Sequence, residues 1–397
     1  MSMDRRGFLF GGAALGCSLA ASPFMTPVAL ASGPWDNRLV IIVLRGAMDG
    51  LDAVRPLGDP DYAALRPTLN DGKALALGDF WGLHPGLSDL MPLWQAGQMG
   101  VMHAVSTPYR DGRSHFDGQD ILEAGSLQIN GGAGGWLNRM MSVVPGMTAE
   151  TAYALGQENM AILQGPAPHL RWAPEAKFDL SPQMRRLLEL TLHDDAMFRD
   201  AALQAVSIAD SLATEAMAAE GDDLDIMMAP AKPGSEANLA QFAAARLRED
   251  TRIASFSVNG WDTHQAQANS LPKTLQRLSQ TILTLRDGLG PVWDKTAVLC
   301  MTEFGRTARE NGTRGTDHGT GGAMIYAGGA LRGGQVVGRW PGLAEADLFE
   351  RRDLMPTGDV RAAAGWVMQD LFGLTATQVQ QIVFPGLDLG NAPGFLL

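Results

Sequence analysis

The chain has 397 residues, 46% of them hydrophobic, with 31 Lys and Arg against 43 Asp and Glu and a net charge of -12. It is long enough to bury a large core, and the acidic balance without any dense basic run excludes nucleic acid and anionic membrane surfaces as partners. Of its two cysteines, Cys17 falls in a leader and Cys300 in an apolar run, so no internal disulfide is expected and stability must come from packing.

In chain order, Asp4-Arg5-Arg6-Gly7-Phe8-Leu9-Phe10 opens a stretch that stays apolar through Ala21 but is interrupted by Gly11, Gly12, Gly16 and Ser18. It is shorter than the roughly 20 residues of a spanning helix, and Ala29-Leu30-Ala31 follows as a small-x-small cleavage site. This pattern predicts a twin-arginine signal peptide over residues 1–31. The protein is then handed folded to the twin-arginine translocase, reaches the periplasm or the extracellular space, and keeps no transmembrane anchor after cleavage. Ala14-Leu15-Gly16-Cys17 is a weak lipoprotein box, which leaves lipidation at Cys17 as the alternative. Export in the folded state suits a protein that acquires a metal before crossing.

Residues 32–397 read as one α/β domain. Leu39 to Leu44 is a continuous β-branched run ending in Arg45-Gly46-Ala47-Met48-Asp49-Gly50, the pattern of a central parallel strand buried on both faces. Met99 to Val105 predicts a second strand, followed by a polar loop and a helix capped near Ser114. Leu, Ala, Met and Arg at helical spacing predict a helical insertion over about 181–250, with an acidic linker at Gly221 to Gly234. Then come a strand at Arg252 to Val258, a helix at Leu271 to Leu289, a strand at Thr296 to Thr302 and a short strand at Ala323 to Ala327. This rhythm predicts a doubly wound, mostly parallel sheet with helices on both faces.

Three of these strands finish within a few residues of a carboxylate, Asp49, Asp262 and Glu303, and His264 and His318 lie in the same loops. At the carboxyl edge of a parallel sheet these carboxylates converge and repel unless a cation neutralises them. Mixed carboxylate and imidazole ligands fit zinc, manganese or a similar divalent ion. Taken singly, Asp49-Gly50 is also an ordinary turn pair, and Asp262-Thr263-His264 and Asp317-His318 suit capping and loop roles. Ser114, at a helix N-terminus with Arg110, Arg113, His115 and Asp117 around it, suits either a cap or a nucleophile toward phosphorus or sulfur.

The motifs Leu-Arg-Gly-Ala-Met-Asp-Gly, Arg-Ser-His-Phe-Asp, Gly-Trp-Asp-Thr-His, Thr-Glu-Phe-Gly-Arg-Thr and Thr-Asp-His-Gly resemble a twin-arginine-exported family of unknown function within the alkaline phosphatase and sulfatase superfamily. The resemblance spans nearly the whole of residues 32–397. It implies an alkaline phosphatase-like fold, one or two divalent ions, and a nucleophile at the start of the helix after the second strand, where Ser114 stands. By the same resemblance Asp49, Asp262, His264, Glu303 and His318 fall on metal-site positions. Two departures are visible: Phe304 follows Glu303 where the superfamily commonly has His, and a single residue separates Asp262 from His264.

The expectation is an exported metal-dependent hydrolase of phosphate or sulfate esters. Ser114 attacks, Arg113 and Arg306 clamp the substrate oxygens, and Asp49, Asp262, His264, Glu303 and His318 hold the metal, with Asp317, Asp117 and His115 as further ligand candidates. The alternative is a non-catalytic exported protein on the same fold that binds an envelope polymer or a partner protein.

Overall fold

A computed structural model of the chain describes residues 35–110, 112–129, 134–173 and 236–397. The predicted leader with Cys17, and the 181–235 part of the expected insertion, lie outside the described residues. The last part of that insertion coincides with the helix Glu236–Leu247.

The strands are β1 (Arg38–Arg45), β2 (Val54–Arg55), β3 (Leu75–Leu77), β4 (Trp81–Leu83), β5 (Met99–Ser106), β6 (Ala152–Leu155), β7 (Leu170–Trp172), β8 (Ile253–Asn259), β9 (Thr296–Met301), β10 (Gly322–Ala327), β11 (Val336–Val337) and β12 (Gly358–Asp359). The main sheet runs β11-β5-β10-β9-β1-β8-β6-β7, with β12 beside β5, and β2-β4-β3 form a small separate sheet. From β7 across to β9 every pairing is parallel. β10 runs antiparallel to both β9 and β5. The result is the expected mostly parallel α/β sheet, and it sets the carboxyl ends of β8, β1 and β9 side by side.

β1 explains why the sheet lies at the centre. Successive side chains of a strand point to opposite faces, and here both sets are apolar and buried: Leu39, Ile41 and Val43 on one side, Val40, Ile42 and Leu44 on the other. Each such side chain contributes about 1.5–3 kcal/mol when buried, which requires a helical layer on each face. The helices Trp136–Val143 and Val360–Phe372 cover the first. Glu236–Leu247 and Gln267–Leu289 cover the second, the latter through Leu271, Leu275, Leu278, Ile282 and Leu285 at three- and four-residue spacing. Among the described residues no helix is long and apolar enough to cross a membrane.

Two local features aim the loops at the sheet edge. Gly46, just past β1, has φ +117, and a Cβ there would stand 2.7 Å from the backbone nitrogen of Asp262, so only glycine lets these strand ends touch. The helix His115–Ala124 starts on Ser114, whose hydroxyl accepts the Asp117 N–H, and ends on Gly125 at φ 63, a capped start and a left-handed stop.

Candidate metal centre

Three imidazoles and one carboxylate meet beyond the ends of β8 and β9. Asp262 and His264 come from the loop after β8, His318 from the loop before β10, and His115 from the first turn of its helix. His264 Nε2 lies 3.0 Å from Asp262 Oδ1 and 2.9 Å from His318 Nε2. His318 Nε2 is 3.3 Å from Asp262 Oδ1, and His115 Nε2 is 3.5 Å from Asp262 Oδ2. Ligand atoms of His115, Asp262 and His318 all fall within 4.8 Å of one another, a spacing that suits a metal ion.

The opposite nitrogen of each ring decides what this crowding means. His115 Nδ1 sits 2.8 Å from Glu303 Oε1, His264 Nδ1 3.1 Å from Asp317 Oδ1, and His318 Nδ1 2.7 Å from the Arg113 carbonyl. Carboxylates and carbonyls only accept, so each Nδ1 carries a proton and the Nε2 atoms are the ones left facing Asp262. As free bases the rings aim three lone pairs and a carboxylate at one half-exposed point, an arrangement that a cation would stabilise. His115 Nε2 states the case most directly: it is buried and has no hydrogen-bond partner. A buried polar atom in that condition costs about 1–3 kcal/mol. The residues therefore fit a first-row divalent ion, with the carboxylate-backed histidines common around such ions.

Burial, with the His115 and Arg306 charges, outweighs the Arg113 carbonyl and holds His318 below the ordinary histidine range, so its lone pair is present at neutral pH. The Glu303 hydrogen bond raises His115. Burial alone would raise the Glu303 carboxyl, but His115, the Gly46 N–H and the Gln119 amide hold it down as a carboxylate. For Asp262, Arg306 overcomes the opposing effect of burial and lowers the carboxyl.

The other expected site residues are placed as follows. Asp49 stands apart from the cluster: it is buried, caps the turn at Leu51 and Asp52, forms a two-point ion pair with Arg66 at 2.6 and 3.1 Å, and accepts from Gln267. Glu303 lies behind His115, with its second oxygen on the Thr302 hydroxyl, and Asp317 lies behind His264, held also by Asn311 at 2.9 Å. Asp117 is in the first helical turn, 3.5 Å from the Tyr109 hydroxyl. Arg113 turns its guanidinium to Glu350 and Asp353. Its backbone, at φ 49, supplies the carbonyl that holds His318, a strained conformation worth of order 1 kcal/mol or more. Arg306 is fully buried and donates to Asp262 at 2.7 Å and to Thr316. Arg306 is closed off from substrate oxygens, whereas Arg113 is one-third exposed.

Sequence reasoning passed over Arg66, Gln119, Gln267, Asn311 and Thr316. A polar residue at a helix position facing the core, as Gln267 is in Gln267–Leu289, was the one signal available. Beside the cluster, Asp317 also lines a cavity of about 550 Å3 whose other walls include Arg309, Arg351, Arg352, Leu343 and Leu348.

A family model described as Protein of unknown function (DUF1501) matches residues 104–383. Among solved structures the chain is similar to a protein in the alkaline phosphatase superfamily from Vibrio parahaemolyticus, with 12% sequence identity, a TM-score of 0.35, and coverage of 84% of this chain and 71% of that one. No curated protein matches.

Proposed function

This chain belongs to the DUF1501 family of proteins of unknown function, and we propose that it is an exported, metal-dependent hydrolase of phosphate or sulfate esters. The observation that carries this reading is the buried, unpartnered Nε2 of His115 facing Asp262 and His318. His115, Asp262, His264 and His318 would hold the ion, and Glu303, Asp317 and the Arg113 carbonyl orient the three rings. A bound zinc- or manganese-like ion supplies Lewis acidity toward an anionic ester oxygen.

The chain's own groups supply the rest. Ser114, immediately before His115, is the nucleophile in this proposal: its Oγ accepts a backbone N–H at the helix start, and the hydroxyl proton is not consumed by that cap. The helix N-terminus favours negative charge developing on that oxygen. The cavity beside Asp317, walled by Leu343 and Leu348 with both arginines and carboxylates, offers room for the organic part of an ester. Folded export through the twin-arginine translocase to the periplasm or the extracellular space belongs to the same proposal and rests on Arg5-Arg6, Phe8-Leu9 and Ala29-Leu30-Ala31.

A second reading, a non-catalytic exported protein that binds an envelope polymer or a partner protein, is favoured by one observation: the guanidinium groups of Arg113 and Arg306 are already paired. A screen of phosphate and sulfate monoesters and diesters with metal-loaded protein and its Ser114→Ala variant separates the two. Turnover by wild type and none by the variant is expected; no turnover of any ester by fully loaded wild type leaves the binding reading.

A further inference from the structure

The sheet edge gathers more carboxylates than the metal centre uses, and arginines, which cannot leave, neutralise two of them. Asp49 is paired with Arg66 and Asp262 with Arg306. Arg306 is held on three sides: Nε donates to the Thr316 hydroxyl at 3.1 Å, Nη2 to the Thr316 carbonyl, and Nη1 to Asp262 Oδ1. The Thr316 hydroxyl in turn donates to Gln267 Oε1 at 2.7 Å, and Gln267 Nε2 donates to Asp49 at 2.7 Å and to Asp52 at 2.9 Å. One buried relay therefore runs from Arg66 through Asp49, Gln267 and Thr316 to Arg306 and the carboxylate of the metal centre. The Arg306 charge also acts on Asp49, so this guanidinium serves both carboxylates.

We propose that Arg306 is the permanent second cation of this site: it restricts the centre to one exchangeable divalent ion and, by its charge on Asp262, weakens the hold on that ion. Guanidinium stays protonated at every accessible pH, and its planar fork fits a carboxylate and a carbonyl together. A second ion would have to displace it from Asp262. Because Arg306 acts through Asp262, it is a positioning and tuning residue. The inference rests on the proposed metal-binding reading of His115, Asp262, His264 and His318.

The test uses full-length protein stripped with chelator, then titrated with zinc. Ions per chain are counted by mass spectrometry of the element, and affinity is read by competition with a chromophoric chelator. Wild type is expected to saturate at one ion per chain. Arg306→Gln, which keeps a donor for Asp262 without the charge, is expected to bind zinc at least tenfold tighter or to accept a second ion, and Arg306→Lys to match wild type. Two ions per chain in wild type, or a folded Arg306→Gln that binds one ion with unchanged or weaker affinity, overturns the role of Arg306 alone. No zinc in wild type overturns the metal centre and this role with it. If Arg306→Gln does not fold, the wild-type stoichiometry decides.

Discussion

His264 Nε2 lies 2.9 Å from His318 Nε2 although both rings spend their Nδ1 protons elsewhere, on Asp317 and on the Arg113 carbonyl. As free bases the two rings cannot hydrogen-bond in that arrangement, because neither facing nitrogen then has a proton to give. A cation shared with Asp262 would turn the clash into ligation. Metal should therefore stabilise the fold: at a free zinc concentration of 100 times Kd, binding adds about 2.7 kcal/mol. Thermal unfolding with zinc and with excess chelator checks this, and equal midpoints would contradict it.

Glu303 holds His115 Nδ1 at 2.8 Å and stands behind the ring, away from Asp262. Glu303→Gln replaces a pure acceptor by an amide that can present its NH2 group to Nδ1, so the ring loses the partner that fixes its proton. Loss of such a supporting carboxylate costs about 10–100-fold in metal affinity. Chelator competition is expected to show that loss while circular dichroism stays unchanged.

Asp49 has a different task. Its pair with Arg66 is completely buried; although burial opposes ionisation, the Arg66 guanidinium holds the Asp49 carboxyl below the usual carboxylate range. Asp49→Asn leaves a buried arginine uncompensated, which costs about 3–5 kcal/mol. A large fall in denaturant midpoint with unaltered metal content in the folded fraction is expected, whereas metal loss at full stability would make Asp49 a ligand.

His103 provides a pH dependence away from the metal centre. It is buried, with Nε2 on the Gly50 and Val54 carbonyls and Nδ1 accepting the Ala104 N–H, and burial lowers its pKa from 6.5 to about 4. The folded state thus favours the neutral ring, and the unfolded chain binds more protons between those values. The stability contribution is complete above pH 6.5 and is lost as pH falls toward 4, with about 2 kcal/mol gone by pH 5. Guanidinium unfolding at pH 7 and pH 5 should show a larger loss in wild type than in His103→Gln. Equal losses would contradict the assignment.

Ser114→Ala removes the cap of the helix His115–Ala124, worth about 1 kcal/mol, together with the proposed nucleophile. Metal content should hold while ester turnover disappears. Turnover at the wild-type rate would return Ser114 to capping alone.

Much of this arrangement was readable from residues in order. The apolar runs at Leu39 to Leu44 and Thr296 to Thr302 are strands because nothing polar interrupts them, and Asp262, His264 and His318 stood out because strand ends carry ligands. His115 was harder to rank: a histidine in a first helical turn shows nothing of the carboxylate behind it until β9 places Glu303 there. The partners of Asp49 and Glu303 come from unpatterned polar positions: Arg66 in a turn, Gln119 inside a helix. Sequence shows that a carboxylate arrives at the sheet edge; only packing shows which cation meets it.

The most direct measurement is elemental analysis of wild type and His115→Ala, purified side by side without chelator. One divalent ion per wild-type chain and none in a folded His115→Ala is the expected result. A wild type without metal, or a variant that retains it in full, would contradict a centre built on His115, Asp262, His264 and His318.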